Sequence, residues 1–138
     1  RFCGKLSGLY PTSDHVAAAR IDELVEAAKE VTLAVSPTMR ERDPERRASM
    51  RAALATEVFP QWLERVSRRV DEGPFLVGDA LSIADLAIWR LLDWLTCGML
   101  DGIPRDLLEP YPRLGRHLAT IGAREDVQSW MARYDRSE

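Results

Sequence analysis

Only two cysteines occur in the 138 residues, Cys3 and Cys97, and they stand far apart. Neither belongs to a CxxC pair, which excludes a zinc ribbon, a thioredoxin-type redox motif and a dense disulfide framework. A reducing compartment, the cytoplasm, is the simpler expectation. There is no basic excess either: 19 Lys and Arg against 22 Asp and Glu give a net charge of −3, which disfavours general electrostatic affinity for nucleic acid. No run approaches the roughly 18 uncharged apolar residues of a membrane span, and the first residues lack a signal-peptide pattern. With 8 Gly and 8 Pro, collagen-like and low-complexity classes are excluded. What is present is 46% hydrophobic and 30% charged residues, the composition of one ordinary globular domain, and a chain of this size buries about two-thirds of its unfolded surface.

Apolar residues recur at three-to-four spacing and no period-two run is bounded by hairpin turns, so the expected fold is all-α. Ile21, Leu24, Val25, Ala28, Val31 and Val35 form one stripe behind Ser13 and Asp14, either of which can cap the helix; Pro37 should close it near Ser36. A second helix starts at Asp43-Pro44-Glu45, a cap followed by proline at the first helical position. It carries Met50, Leu54, Val58, Trp62, Val66 and Val70, should bend at Pro60, and ends at Gly73-Pro74. The third, from Ser82 to about Met99, is apolar on every side and belongs at the centre of a bundle. After a connection rich in Gly and Pro, two short helices follow, one with Leu114, Leu118 and Ile121, the other with Val127, Trp130, Met131 and Tyr134. Trp62, Trp89, Trp94 and Trp130 all fall at core spacing. The Arg-rich piece from Arg40 to Arg51 alternates with acids and reads as a solvated face.

Ser82-Ile83-Ala84-Asp85 is a capping box with aspartate in place of the commoner Glu or Gln. Leu81 and Leu86 occupy the positions of a hydrophobic staple. A catalytic role for Asp85 would need a partner, and no second carboxylate or histidine lies nearby in sequence; a short acid here serves the open amides of the helix start. His15 and His117 have no third ligand at metal spacing, so surface or packing roles are expected. Cys97 reads as a small hydrophobe.

The run Phe75-Leu76-Val77-Gly78-Asp79-Ala80-Leu81-Ser82-Ile83-Ala84-Asp85 resembles the signature of the cytosolic glutathione transferase C-terminal domain. Leu9-Tyr10-Pro11, the long acid-bearing helix, Pro60-Gln61-Trp62-Leu63, Tyr111-Pro112-Arg113-Leu114 and Val127-Gln128-Ser129-Trp130 follow in the family's order and spacing, closest to the sigma and pi classes. The resemblance implies an orthogonal bundle of about five helices over residues 13–138, with residues 1–12 a remnant of a preceding helix and interdomain linker. It also implies an upstream thioredoxin-like domain, which holds glutathione and supplies the Tyr, Ser or Cys that stabilises its thiolate. That domain has no counterpart in these residues, and the first residue is Arg1 rather than Met, so a piece of a longer parent or a stand-alone relic is expected.

In relatives an acid on the long first helix reaches across a homodimer to the glutathione amino group, and the position aligned with it is Glu26, one methylene longer than the usual Asp. A solvated helix face beside Glu23 and Glu30 explains Glu26 equally. The relatives' pocket for the hydrophobic substrate maps onto Thr32, Ser36, Ala87, Arg90 and Leu91; for the apolar members, core packing is the competing account. Arg90, a charge on an apolar helix, needs Asp93, a ligand carboxylate or water as partner. No catalytic residue, metal or resident cofactor is implied in this half, glutathione being a co-substrate of the parent. The expected function is therefore the electrophile-pocket and dimerisation domain of a glutathione S-transferase. The alternatives are a non-catalytic interaction module of the same type, as in translation or tRNA synthetase assemblies, or a binding protein for haem or other apolar molecules.

Overall fold

Asp14 opens the longest helix: its carboxylate accepts from the amides of Val16 (3.0 Å) and Ala17 (2.9 Å), two donors that a helix start leaves open. The computed structural model describes residues 1–134, and all regular structure there is helical: α1 (Phe2–Leu6), α2 (His15–Arg40), α3 (Pro44–Ala53), α4 (Phe59–Ser67), α5 (Ile83–Thr96), α6 (Pro112–Gly122) and α7 (Glu125–Tyr134). The core is built on α2 lying along α5, with α4 and α6 packed on this pair. Val31, Val35, Phe59, Leu63, Ile88, Leu92 and Leu114 meet there with no exposed surface. The buried indole of Trp62 donates to the Ala27 carbonyl at 2.9 Å, so its one polar atom is satisfied.

Several expectations are corrected by tertiary packing. α2 does not close at Ser36 but runs through Pro37 to Arg40. The last turn is fastened from outside: Thr38 is buried and its hydroxyl donates to Val35 O (2.8 Å) while accepting from Arg51 Nε (3.2 Å). Arg51 also donates to the Asp101 carbonyl and pairs with the Asp101 carboxylate, joining the end of α2, α3 and the connection after α5. Arg51 is thus a buried clamp and no part of a solvated face, and burial pulls its guanidinium below the usual arginine value. The second helix is not one bent rod. Residues 54–58 form a π-helical turn closed by the Phe59 amide on the Leu54 carbonyl, directly before Pro60, which has no N–H to continue the ladder. α5 stops at Thr96 rather than Met99, and Cys97 beyond it is exposed, as is Cys3. Trp130 is 42% exposed because α7 buries chiefly Val127 and lies outside the bundle.

Residues 1–12 are packed into the domain. Tyr10 is in the core, the Ile83 amide donates to the Leu9 carbonyl (2.9 Å), and Gly4 is buried beneath Ile83. No helix of the described residues is long and apolar enough to cross a membrane.

Candidate functional site

The start of α5 sets the geometry of everything beside it. Ser82 and Asp85 close the capping box. The Asp85 carboxylate is fully buried and receives three donors: the Ser82 amide (2.7 Å), the Ser82 hydroxyl (2.7 Å) and the Leu76 amide (2.8 Å). The last of these ties the loop before α5 to the helix, a bond that the motif alone does not reveal. Leu81 and Leu86 both pack on the cluster of Trp89, Ile121 and Val127, which fixes the angle of entry as a staple does. Behind the box, His117 of α6 is buried with Nε2 3.3 Å from the Asp85 carbonyl and Nδ1 3.9 Å from its carboxylate. Burial holds the imidazole below its ordinary pKa, although Asp85 and the Asp85 and Pro74 carbonyls pull it upward. With every Asp85 oxygen occupied and shielded, this cluster holds the fold together and presents no reacting group.

Between α2 and α5 a groove of about 460 Å³ opens to the surface, within the size range of small-molecule sites. Each wall is one helical stripe: Val25, Ala28, Lys29 and Thr32 from α2, and Ala87, Arg90, Leu91 and Trp94 from α5. Both follow the same i, i+3, i+4, i+7 spacing that puts side chains on one face. The small side chains of Ala28 and Ala87 leave space between the walls, while Leu91 is buried and Arg90 exposed. Thr32, Ala87, Arg90 and Leu91, singled out in the sequence, therefore meet in one place. Ser36 does not line the groove; it lies a turn beyond, its hydroxyl donating to the Thr32 carbonyl at 2.8 Å. Lys29 and Trp94 were not anticipated there. Lys29 sits among acids and looks solvated, and the available signal was its register, four residues after Val25 and three before Thr32. Arg90 pairs with Asp93 at 2.7 Å, both partners partly exposed.

Glu26 stands apart from this groove. It borders a second one, about 270 Å³, between α2 and α4 with Glu23, Glu30, Arg65 and Arg69, and pairs with Lys29 (3.2 Å) and Arg1 (3.7 Å). Nearby, Asp22 accepts from Arg1 (2.6 Å) and from the Tyr10 hydroxyl (3.0 Å). Burial, then that hydrogen bond to Asp22, pushes the Tyr10 phenol above its usual value, and its one hydrogen is already given to Asp22 rather than held open for a thiolate. Among the described residues no three His, Cys, Asp or Glu side chains come together as a metal site.

Comparison with known proteins agrees with this arrangement. Residues 29–133 match the family model described as glutathione S-transferase, C-terminal domain. The chain is 28% identical over 135 residues to glutathione S-transferase S1 of Drosophila melanogaster, covering 95% of this chain and 51% of that protein, so it spans about half the length of that curated relative. Among solved structures it superposes on prostaglandin synthase D of Nilaparvata lugens with a TM-score of 0.79 at 19% identity, covering 96% of this chain and 64% of that one. A rat protein titled hPGDS, in complex with a quinoline, gives 0.74 at 17% identity over 88% of this chain and 58% of that one. At such identities the two structures show the fold alone. The family match over three-quarters of the residues, with the capping box and the paired stripes in place, shows that this chain belongs to the glutathione S-transferase C-terminal domain family.

Proposed function

We propose that this chain is the electrophile-pocket and dimer-contact half of a glutathione S-transferase that joins glutathione to hydrophobic electrophiles, a detoxifying reaction in the cytoplasm. The observation that carries the reading is the α2–α5 groove, where Thr32, Ala87, Arg90 and Leu91 meet beside a fixed helix start. Ser36, one turn beyond the lining, is proposed to meet only a substrate that extends past Thr32. Glutathione is the co-substrate, and Glu26 is positioned on the exposed side of α2 to meet its ammonium group from the second subunit of a homodimer. The proposed contact is the α2–α4 surface, where acids of α2 pair within the chain with Arg65 of α4 (to Glu30, 2.5 Å) and with Arg69 just beyond it (to Glu23, 3.4 Å), a face of mixed charge that a two-fold copy can meet by exchanging such pairs.

The chemistry divides between the halves. A thiol with pKa near 8.5 is mostly protonated at neutral pH, so the reaction needs a group that stabilises the thiolate and a cradle that holds it against the electrophile. Neither Tyr10 nor the buried Asp85 offers this. The 138-residue chain alone should leave glutathione addition to a chromogenic aryl halide at background while binding an environment-sensitive apolar dye. Joined to a thioredoxin-like glutathione-binding domain of the parent, it should turn over, and Glu26→Gln should then raise the KM for glutathione more than it lowers kcat. Conjugation above background by the chain alone would overturn this division of roles.

A further inference from the structure

Both ring nitrogens of the buried His117 face oxygens. Nε2 lies 3.3 Å from the Asp85 carbonyl, while Nδ1 lies 3.9 Å from Asp85 Oδ1 and makes no hydrogen bond among the described residues. A neutral imidazole has a single N–H for two such acceptors. An imidazolium has two, but its charge is opposed by burial unless water or a carboxylate comes within bonding distance. Space for water lies beside it: a cavity of about 210 Å³ separates α6 from residues 70–76, with His117 in its wall. The facing wall ends in a short tip, residues 72–75, on a turn closed by the Asp71 amide on the Leu76 carbonyl (3.1 Å). Glu72, Gly73 and Pro74 are exposed and Phe75 is half-buried. At the base of the tip the Leu76 amide donates to Asp85 Oδ1 at 2.8 Å. This is the oxygen that faces Nδ1, whereas Oδ2 is held by the amide and hydroxyl of Ser82. The other acids near the ring are committed, Asp71 to Arg20 and the Gly78 amide and Glu72 to Arg113. Of the cations, Arg116 lines the same cavity and is exposed, and Arg124, before α7, pairs with Asp126. Asp85 is therefore the carboxylate that His117 meets.

We propose that residues 72–75 form an acid-opened flap: when His117 takes a proton from solvent, the tip lifts to let water reach the imidazolium, and Asp85 Oδ1 turns from the Leu76 amide toward Nδ1. The side chains of Leu76, Leu114 and Ile121 are buried, so the base of the flap and α6 stay in place while the tip moves. Acid favours opening because the hydrated ring has an ordinary value near 6.5, while burial holds the closed ring below it. The open flap thus binds the proton first, and its population grows as pH falls.

Amide hydrogen exchange of the 138-residue chain, resolved by NMR, tests this. The protection factor of the Leu76 amide, corrected for the intrinsic pH dependence of exchange, should fall about ten- to thirtyfold between about pH 7.5 and pH 5, the range an open-state value near 6.5 sets. Urea up to about 1 M should leave that protection unchanged, because lifting a short flap exposes little surface. Leu92, in the core of α5, should lose protection with urea as global unfolding does. His117→Gln should abolish the pH dependence at Leu76, and His15→Gln, which alters an exposed ring at the start of α2, should preserve it. Leu76 protection that is flat with pH, that falls with urea in step with Leu92, or that keeps its pH dependence in His117→Gln would each overturn the proposal. The first two readings are made on wild type, so they decide the matter even where His117→Gln fails to fold.

Discussion

Replacing Asp85 with alanine tests how much of this domain's stability depends on one buried carboxylate. A solvated helix cap is worth about 1 kcal/mol, but Asp85 is fully buried and accepts from two amides and a hydroxyl. In Asp85→Ala the Ser82 and Leu76 amides are stranded without water, at about 1–3 kcal/mol each, and the lost carboxylate leaves a small void beside His117. The expected loss is about 3–5 kcal/mol, a large share of the roughly 5–15 kcal/mol by which domains are stable. With an m-value of about 2 kcal/mol per molar urea, the midpoint should fall by about 1.5–2.5 M. Urea titration followed by fluorescence of the buried Trp62 and Trp89 reads this directly. Two milder variants give the argument its edge. Asp85→Asn keeps one acceptor oxygen where the carboxylate uses two, and should cost about half as much. Ser82→Ala removes a single hydroxyl and should cost about 1 kcal/mol. An Asp85→Ala midpoint within 0.5 M of wild type (~1 kcal/mol), or equal losses for Asp85→Ala and Ser82→Ala, would show that the three donors find other partners and would refute the reasoning.

His117 makes stability depend on pH in a defined window. Its folded-state pKa is depressed, chiefly by burial, below an unfolded value near 6.5, so the unfolded chain takes up the proton first and the stabilisation, present above about pH 6.5, is lost as pH falls toward the folded value. Wild type should therefore lose stability between about pH 7 and 5, and His117→Gln should flatten that slope; identical slopes would reject the assignment. Asp71, whose carboxyl is held low first by the hydrogen bond from Arg20 and then by the Gly78 amide, stabilises in full above its unfolded value near 3.9 and loses that contribution as pH falls from there through the folded value, so its loss falls in a separate, more acidic window. Two glycine substitutions should have opposite signs. A Cβ at Gly4 would lie 2.7 Å from Ile83 Cγ2, so Gly4→Ala should destabilise by about 1–3 kcal/mol. A Cβ at Gly115, inside α6, meets nothing within 4 Å, and Gly115→Ala should stabilise by about 0.5–1 kcal/mol; thermal melts showing the same sign for both would contradict the packing described.

The helical class, the buried centre of α5 and the capping box were legible in the sequence because each depends on neighbours within one or two turns: an apolar residue every three or four positions, and a serine and an aspartate three apart. The family resemblance rested on the same local run, and it pointed to Thr32, Ala87, Arg90 and Leu91, which the packing of α2 on α5 then brought to one groove. Contacts across the fold decided the rest. Local rules end α2 at Pro37, and a buried Thr38 held by Arg51 from another helix carries it on to Arg40. The same contact turned Arg51, one of several arginines in a polar stretch, into a buried clamp. Trp130 and Trp94 have the periodicity of core residues, yet burial depends on how far other elements cover that face: Trp130 keeps 42% of its surface exposed, and Trp94 lines a groove. Sequence spacing sets which side chains share a face of a helix; only the tertiary structure sets what that face meets. That is why Lys29, one charge among many on α2, comes to line the same groove as Arg90 only once α5 packs along α2.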